Sequence, residues 1–281
     1  MPLDIAEKGR RFKALHERAG AFVIPNPWDA GTARMLTSVG FEALTTTSAG
    51  LAFSLGRKDG VGLVTRDQTL ANAKAIADAT DLPVAADLEN GFADDPRSVA
   101  ETIRLAGERA GLVGGSIEDA TGNPQRPIYD LGLAVERIAA AVEAARALPV
   151  QFVLVARAEN FLHGRPDLDD TIRRLQAFEA AGADALYAPG VTALHDIRTL
   201  CAAVHKPVNA LVSVSADTGR PLTVGELADA GVRRISLGSA LSRAALGAFI
   251  RAAREIKTQG TFTFATEAMP FADANGFMSD T

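Results

Sequence analysis

The chain has 281 residues, 47% hydrophobic and 22% charged, enough to bury a large core as one big barrel or two ordinary domains. A formal charge of -5, with acids and bases interspersed, leaves no basic face for a phosphate backbone, and no nucleic-acid motif is recognisable, so nucleic acid is not expected as a partner. The start, Met-Pro-Leu-Asp-Ile-Ala-Glu-Lys, lacks an apolar stretch behind a basic one, and no later run approaches the roughly 20 apolar residues of a membrane span. The expectation is a soluble, unexported, cytoplasmic protein without membrane contact. The single cysteine, Cys201, fits a reducing compartment and reads as a small buried hydrophobe.

An amphipathic helix is predicted from Leu3 to Arg18, followed by Ala21-Phe-Val-Ile-Pro25, a short apolar run closed by proline as a buried strand is. Further strands are predicted at Glu42 to Thr47, Leu82 to Asp87, Leu112 to Glu118, Gln151 to Arg157, Ala183 to Tyr187, Lys206 to Val212 and Val232 to Leu237. Helix-period segments lie between them at Thr65 to Thr80, Ser98 to Arg109, Leu131 to Ala147, Thr171 to Ala181, Thr192 to Val204 and Thr223 to Ala230. Ala180-Ala-Gly-Ala183 and Asp229-Ala-Gly-Val232 each put a glycine at a helix C-terminus just before a strand, the punctuation of βα units. About eight strands alternating with helices, with no linker-like stretch, predict a single (β/α)₈ TIM barrel over residues 1–281. A dinucleotide fold is disfavoured, because Asn26-Pro-Trp-Asp-Ala-Gly31 holds one glycine where a glycine-rich turn belongs.

Two predicted strands run straight into acids: Leu82-Pro-Val-Ala-Ala-Asp-Leu-Glu-Asn-Gly91 and Leu112-Val-Gly-Gly-Ser-Ile-Glu-Asp119. In such barrels the C-terminal strand ends form the catalytic mouth, so Asp87, Glu89, Glu118 and Asp119 are candidates for one acidic site. Carboxylates this close repel one another unless a cation lies between them, and hard oxygen donors favour Mg²⁺, with Mn²⁺ the second choice. Arg157, ending an apolar strand, can grip an anionic substrate group bidentately. Ser48-Ala-Gly50 offers a hydroxyl and backbone N–H groups, expected in a flexible loop suited to an oxyanion. Asn209, polar amid apolar neighbours, must find hydrogen bonds from either substrate or scaffold. The four histidines have no metal-ligand spacing, and His163 alone falls near the predicted mouth.

These residues resemble the isocitrate lyase and phosphoenolpyruvate mutase superfamily over nearly all of Phe22 to Ala248. The matching pieces are Pro27-Trp-Asp-Ala-Gly-Thr-Ala33, Thr47-Ser-Ala-Gly-Leu51, Leu55-Gly-Arg-Lys-Asp-Gly60, Ala86-Asp-Leu-Glu-Asn-Gly91, Ser116-Ile-Glu-Asp119, Val155-Ala-Arg-Ala-Glu159, Ala181-Gly-Ala-Asp-Ala185 and Ser239-Ala240. The resemblance implies a homo-oligomer, commonly a dimer of dimers, in which the helix beginning near Ser239 is exchanged between subunits. It implies one Mg²⁺ per mouth, bound directly by Asp87 and mainly through water by Glu89 and Glu118. Trp28, Ser48, Ala49 and Gly50 would hold the substrate's anionic end, Asp59 would lie on a mobile segment, and Arg157 would contact the substrate. The chemistry implied passes through the enolate of a 2-oxo acid.

This chain lacks the Lys-(Lys/Arg)-Cys-Gly-His lid of the family's carbon–carbon lyases. Its corresponding segment, Ala120-Thr-Gly-Asn-Pro-Gln-Arg-Pro-Ile-Tyr-Asp130, has no thiol. Tyr187-Ala-Pro-Gly190 has proline where many of the lyases place a substrate-contacting glutamate, and Asn209-Ala-Leu211 has leucine where a second asparagine is common. Asn123 in a thiol-free lid resembles the phosphonomutase and oxaloacetate-cleaving branches. The expectation is therefore a Mg²⁺-dependent enzyme acting on a small anionic 2-oxo or 2-hydroxy acid, with Asp59, Asn123, Glu118 and Arg157 as catalytic residues. A 2-methylisocitrate-type lyase with a different proton donor, and an inactive metabolite-binding barrel, are the alternatives. The tail from 258 to 281 is expected to pack on a neighbouring subunit.

Overall fold

The computed structural model describes residues 3–278 and contains all eight predicted strands in one parallel sheet. They are β1 (Phe22–Ile24), β2 (Leu44–Thr45), β3 (Val84–Asp87), β4 (Gly114–Glu118), β5 (Val153–Arg157), β6 (Ala185–Tyr187), β7 (Val208–Leu211) and β8 (Arg234–Ser236). The order β1-β8-β7-β6-β5-β4-β3-β2 runs round the barrel, and the Thr45 N–H donates to the Pro25 carbonyl at 3.1 Å across the remaining seam. Every strand is followed by helix, as parallel connections require. The protein is a (β/α)₈ barrel.

The helices are α1 (Ile5–Glu17), α2 (Ala30–Ser38), α3 (Ser48–Ser54), α4 (Arg66–Asp78), α5 (Pro96–Glu108), α6 (Leu131–Ala147), α7 (Leu168–Ala180), α8 (Leu194–Ala203), α9 (Val224–Asp229), α10 (Ala240–Gln259) and α11 (Phe271–Phe277). Several start on side-chain caps legible in the sequence: Asp29 with Thr32, Thr65 with Gln68 and Thr223 with Glu226 form reciprocal capping boxes. The two glycines read as helix stops do that work, Gly182 at φ 101° and Gly231 at φ 98° just past the ends of α7 and α9.

The outer layer packs Ile103, Leu112, Ile138, Phe178 and Leu186 between helices and sheet. At the N-terminal end of the barrel, α1 drives Phe12 into a second cluster with Phe22, Ile24, Val113 and Val153. Gly114 makes room for it: a Cβ there would lie 2.6 Å from the Phe12 ring. The closed end leaves the C-terminal strand ends as the open mouth.

One expectation changes at this level. Ser48-Ala-Gly50 is the first turn of α3 rather than a flexible loop, because the Thr47 side chain caps the helix by accepting from the Gly50 N–H. Within the chain the tail forms α11, which rests on α2 with Met278 beside Gly31, and its expected contact with a neighbouring subunit is not tested by a single chain; residues 279–281 lie outside the described residues. By contrast α10 stands away from the barrel, with Ser242 its one buried residue and Leu246, Phe249 and Ile250 exposed. No helix among the described residues is long and apolar enough to cross a membrane.

Candidate active site

The β3, β4 and β5 ends are in register, Asp87 opposite Ser116 and Glu118 opposite Arg157. Side-chain alternation therefore points Asp87, Glu118 and Arg157 to one side at the mouth. Arg157 is the hub: its Nη1 lies 2.9 Å from Asp87 Oδ1, while Nη2 lies 3.1 Å from Glu118 Oε2 and 2.8 Å from Glu159 Oε1. Its guanidinium also lies 5.1 Å over the Tyr187 ring. The Ser48 hydroxyl donates to the other Asp87 oxygen at 3.0 Å, so the start of α3 and the end of β3 are tied together.

A cavity of about 1210 Å³ opens above this cluster, lined among others by Ser48, Asp59, Glu89, Glu118, Arg157 and Glu159. Few cations oppose these acids. Burial, then the Asp87 charge and the Asp59 charge, push Glu89 up to about 7. Burial and Asp87 raise Asp59 as well, and burial holds Glu118 well above the ordinary carboxylate range despite the opposing pull of Arg157. Glu89 has φ 48°, the left-handed region in which a non-glycine residue costs of order 1 kcal/mol or more. Its N–H donates to Asp87 Oδ1 at 3.2 Å and its carbonyl accepts from the Glu118 N–H at 3.0 Å, which hold that strained turn between the two strand ends.

Asp119 does not belong to this cluster. Alternation turns it to the opposite face of β4, where it is 2% exposed, accepts from the Glu159 N–H at 2.8 Å and pairs with Arg174 at 3.1 Å. It is scaffold, fastening the β4 and β5 ends to α7. Asn209 lies in the barrel interior, 3% exposed, and donates to the Ser236 hydroxyl at 2.9 Å. Trp28 and Gly50 line a separate cavity of about 210 Å³ against Phe53, Ser242 and Phe249, and Ala49 lines neither cavity. Asn123 does line the mouth, in a hairpin-like loop closed by the Ala120–Ile128 bridge, with its Oδ1 accepting from the Gln125 N–H at 2.9 Å. Glu159 is the member that the sequence reading left without a role.

Among the described residues no three acid, histidine or cysteine side chains are arranged to hold a metal ion between them; Asp87 and Glu118 converge on Arg157 instead. The donor set still fits a hydrated divalent cation. The oxygens are hard, negative charge is in excess, and Mg²⁺ keeps most of its waters and needs few direct ligands.

The phosphoenolpyruvate phosphomutase model matches residues 12–257. The chain belongs to the phosphoenolpyruvate phosphomutase family. It is 30% identical over 255 residues to 2-methylisocitrate lyase of Escherichia coli, covering 86% of this chain and 83% of that one. Its structure is similar to that of a candidate lyase/mutase from Burkholderia cenocepacia J2315, at 57% identity, TM-score 0.94 and coverage of 98% and 97%. It is also similar to 2,3-dimethylmalate lyase, described as a member of the PEP mutase/isocitrate lyase superfamily, at 26% identity, TM-score 0.84 and coverage of 97% and 95%. The chain is thus an enzyme of a superfamily of lyases and phosphonomutases whose members cleave or rearrange small acids, and the inactive-barrel alternative is not favoured.

Proposed function

We propose that the protein is a Mg²⁺-dependent enzyme that cleaves or rearranges a small 2-oxo acid, of the size of oxaloacetate or phosphonopyruvate, through an enolate. The observation that carries this reading is the charge imbalance at the mouth. Asp59, Asp87, Glu89, Glu118 and Glu159 surround Arg157, and burial and mutual repulsion lift Asp59, Glu89 and Glu118 above their ordinary range. A folded chain retains such a cost where the charges hold a ligand. Asp87 would hold Mg²⁺ directly, with Glu89 and Glu118 mainly through its waters. Bound there, the ion supplies Lewis-acid stabilisation of developing enolate charge.

The chain's own groups do the rest. Arg157 places a fixed positive charge beside the developing negative one, and its three carboxylate partners prevent it from swinging away. The Ser48 hydroxyl, which lines the mouth beside Asp87, takes the substrate's carboxylate or phosphonate. Asp59 shares the cavity with Ser48 and moves with its loop. A cavity of about 1210 Å³ exceeds the needs of a four-carbon acid, so the loop from Thr121 to Tyr129, carrying Asn123, closes over bound substrate and excludes water. Proline at 189 and leucine at 211 remove polar contacts that a tricarboxylate would use, which favours the smaller substrate.

We assign the working form to a cytoplasmic homo-oligomer, a dimer of dimers with α10 exchanged between subunits. The exposed apolar residues of α10 and the small cavity beside Trp28 and Phe53 support that reading. Calorimetric titration with oxalate, a planar enolate mimic, tests the site: binding that requires Mg²⁺ and disappears in Asp87→Ala is expected, and Mg²⁺-independent binding rules the reading out.

A further inference from the structure

Enolate chemistry needs a group that gives a proton to carbon, and the loop from Ala120 to Asp130 offers no thiol. Asn123 does not replace one: a carboxamide has no proton to give near neutral pH, and its oxygen is already used within its own turn. The donor must come from the other groups lining the mouth.

Most of these are committed. Glu159 accepts from both Nε and Nη2 of Arg157. Asp59, Glu89 and Glu118 form the acid cluster, and a guanidinium, as in Arg157 and Arg66, is not a general acid. Asp94 is bonded to the Tyr129 hydroxyl, and Asp67 is in the first turn of α4. His163 is left. It lies six residues beyond Arg157 in the connection from β5 to α7 and lines the same cavity. Its backbone N–H donates to the Glu159 and Asn160 carbonyls at 3.2 Å, and Asn160, fully buried, donates to the Thr171 hydroxyl at 2.6 Å, so the loop is rooted. The imidazole itself has no hydrogen-bond or ion-pair partner among the described residues. Partial burial, and then the Arg157 charge, lower it from its ordinary value, which favours the neutral imidazole.

We propose that His163 is the acid–base residue of this enzyme, taking a proton as the substrate carbon–carbon bond is opened and returning it to the enolate carbon. The inference rests on the enolate reading above. With oxaloacetate the steps balance. His163 takes one proton from water as the water oxygen bonds to C2. The C2–C3 bond breaks with its electron pair moving to C3. The imidazolium then protonates C3, giving acetate and oxalate, and the second proton of the water leaves to solvent.

The test compares parent enzyme and His163→Gln on oxaloacetate with saturating Mg²⁺. The His163 side chain is largely solvent-accessible and unpartnered among the described residues, and circular dichroism checks that the variant keeps the parent fold. A loss of about 10²- to 10⁴-fold in kcat is expected, with KM within about threefold, unchanged Mg²⁺-dependent oxalate binding and partial rescue by added imidazole. The parent's kcat should lose an acidic limb in the variant. An active parent with His163→Gln within about threefold in kcat overturns the role of His163 alone. A parent that turns over no 2-oxo acid and binds no oxalate overturns the enolate reading, and the inference with it.

Discussion

Arg157 Nη1 sits 2.9 Å from Asp87 Oδ1, joining the end of β5 to the end of β3 across the top of β4. With 12% of its side chain exposed, the guanidinium is the positive centre of a mouth otherwise built from carboxylates. Removing it leaves buried acids facing one another. Arg157→Met is therefore expected to destabilise the fold by about 3–5 kcal/mol in urea unfolding at pH 7. Arg157→Lys should retain part of the stability but little activity, since an ammonium cannot span Asp87, Glu118 and Glu159 together. A fully stable Arg157→Met would show that the cluster is not held by this charge.

Glu159 is 3% exposed and bonded to Arg157 Nε and Nη2. Glu159→Gln keeps the shape and removes the charge that fixes the plane of the guanidinium. The expected result is a fall of about tenfold or more in kcat/KM, corresponding to roughly 1.5–3 kcal/mol for a charged hydrogen bond. Activity equal to the parent would make Glu159 a bystander.

Burial, with the Asp87 and Asp59 charges behind it, pushes Glu89 up to about 7 from an ordinary 4.5. For an acid with a raised value the folded state is penalised above the unfolded value, and the penalty is complete above about pH 7. A cation relieves it. Mg²⁺ should therefore raise Tm more at pH 8 than at pH 6, and Glu89→Gln should reduce the difference, the rest belonging to the raised Glu118 and Asp59. Equal shifts at both pH values would exclude Glu89 from cation binding.

His16, pinned between Phe12 and Phe22, shows the opposite linkage. Burial first, and then Arg234, lower it from 6.5 to about 3. Below pH 6.5 the unfolded chain takes up a proton that the folded chain refuses, so stability falls as pH drops from 6.5 towards 3. At pH 5 the loss is about 2 kcal/mol. Urea midpoints at pH 7 and pH 5 should show this slope in the parent and a shallower one in His16→Gln; identical slopes would contradict it.

The sequence displays the barrel because parallel strands buried on both faces read as short apolar runs between helix-period segments. The predicted strands extend up to two residues beyond the ladders at either end, as at Glu42 to Thr47, where Thr46 and Thr47 leave β2 and Thr47 caps α3. The stretch after Trp28 carries no predicted helix, yet Asp29 and Thr32 form the capping box that starts α2. At the site, Asp87, Glu89, Glu118 and Arg157 were legible because each follows an apolar strand. Asp119 was grouped with them through adjacency to Glu118, although a period of two already places neighbours on opposite faces. The same period puts Glu159 on the side of Arg157, a signal available in Arg157-Ala-Glu159. That Trp28 and Gly50 face α10, and that Asn209 bonds Ser236, depends on contacts between distant segments which no local pattern encodes.

The apolar face of α10 bears on assembly. Phe249 is 69% exposed and Leu246 45%, beside the cavity that contains Trp28. If the proposed oligomer forms through this face, a double substitution, Leu246→Asp with Phe249→Asp, should yield a monomer by light scattering, with the far-ultraviolet circular dichroism retained. An unchanged mass would place the interface elsewhere.

The proposed chemistry of this mouth is formation of an enolate from a small 2-oxo acid with the help of Mg²⁺. The most direct measurement is product formation followed by proton NMR, with purified protein supplied with oxaloacetate or phosphonopyruvate, first with Mg²⁺ and then with a chelator. The account predicts turnover of at least one acid that stops on chelation and is abolished in Asp87→Ala. Turnover unaffected by chelator, or none of either acid with Mg²⁺ present, would contradict it.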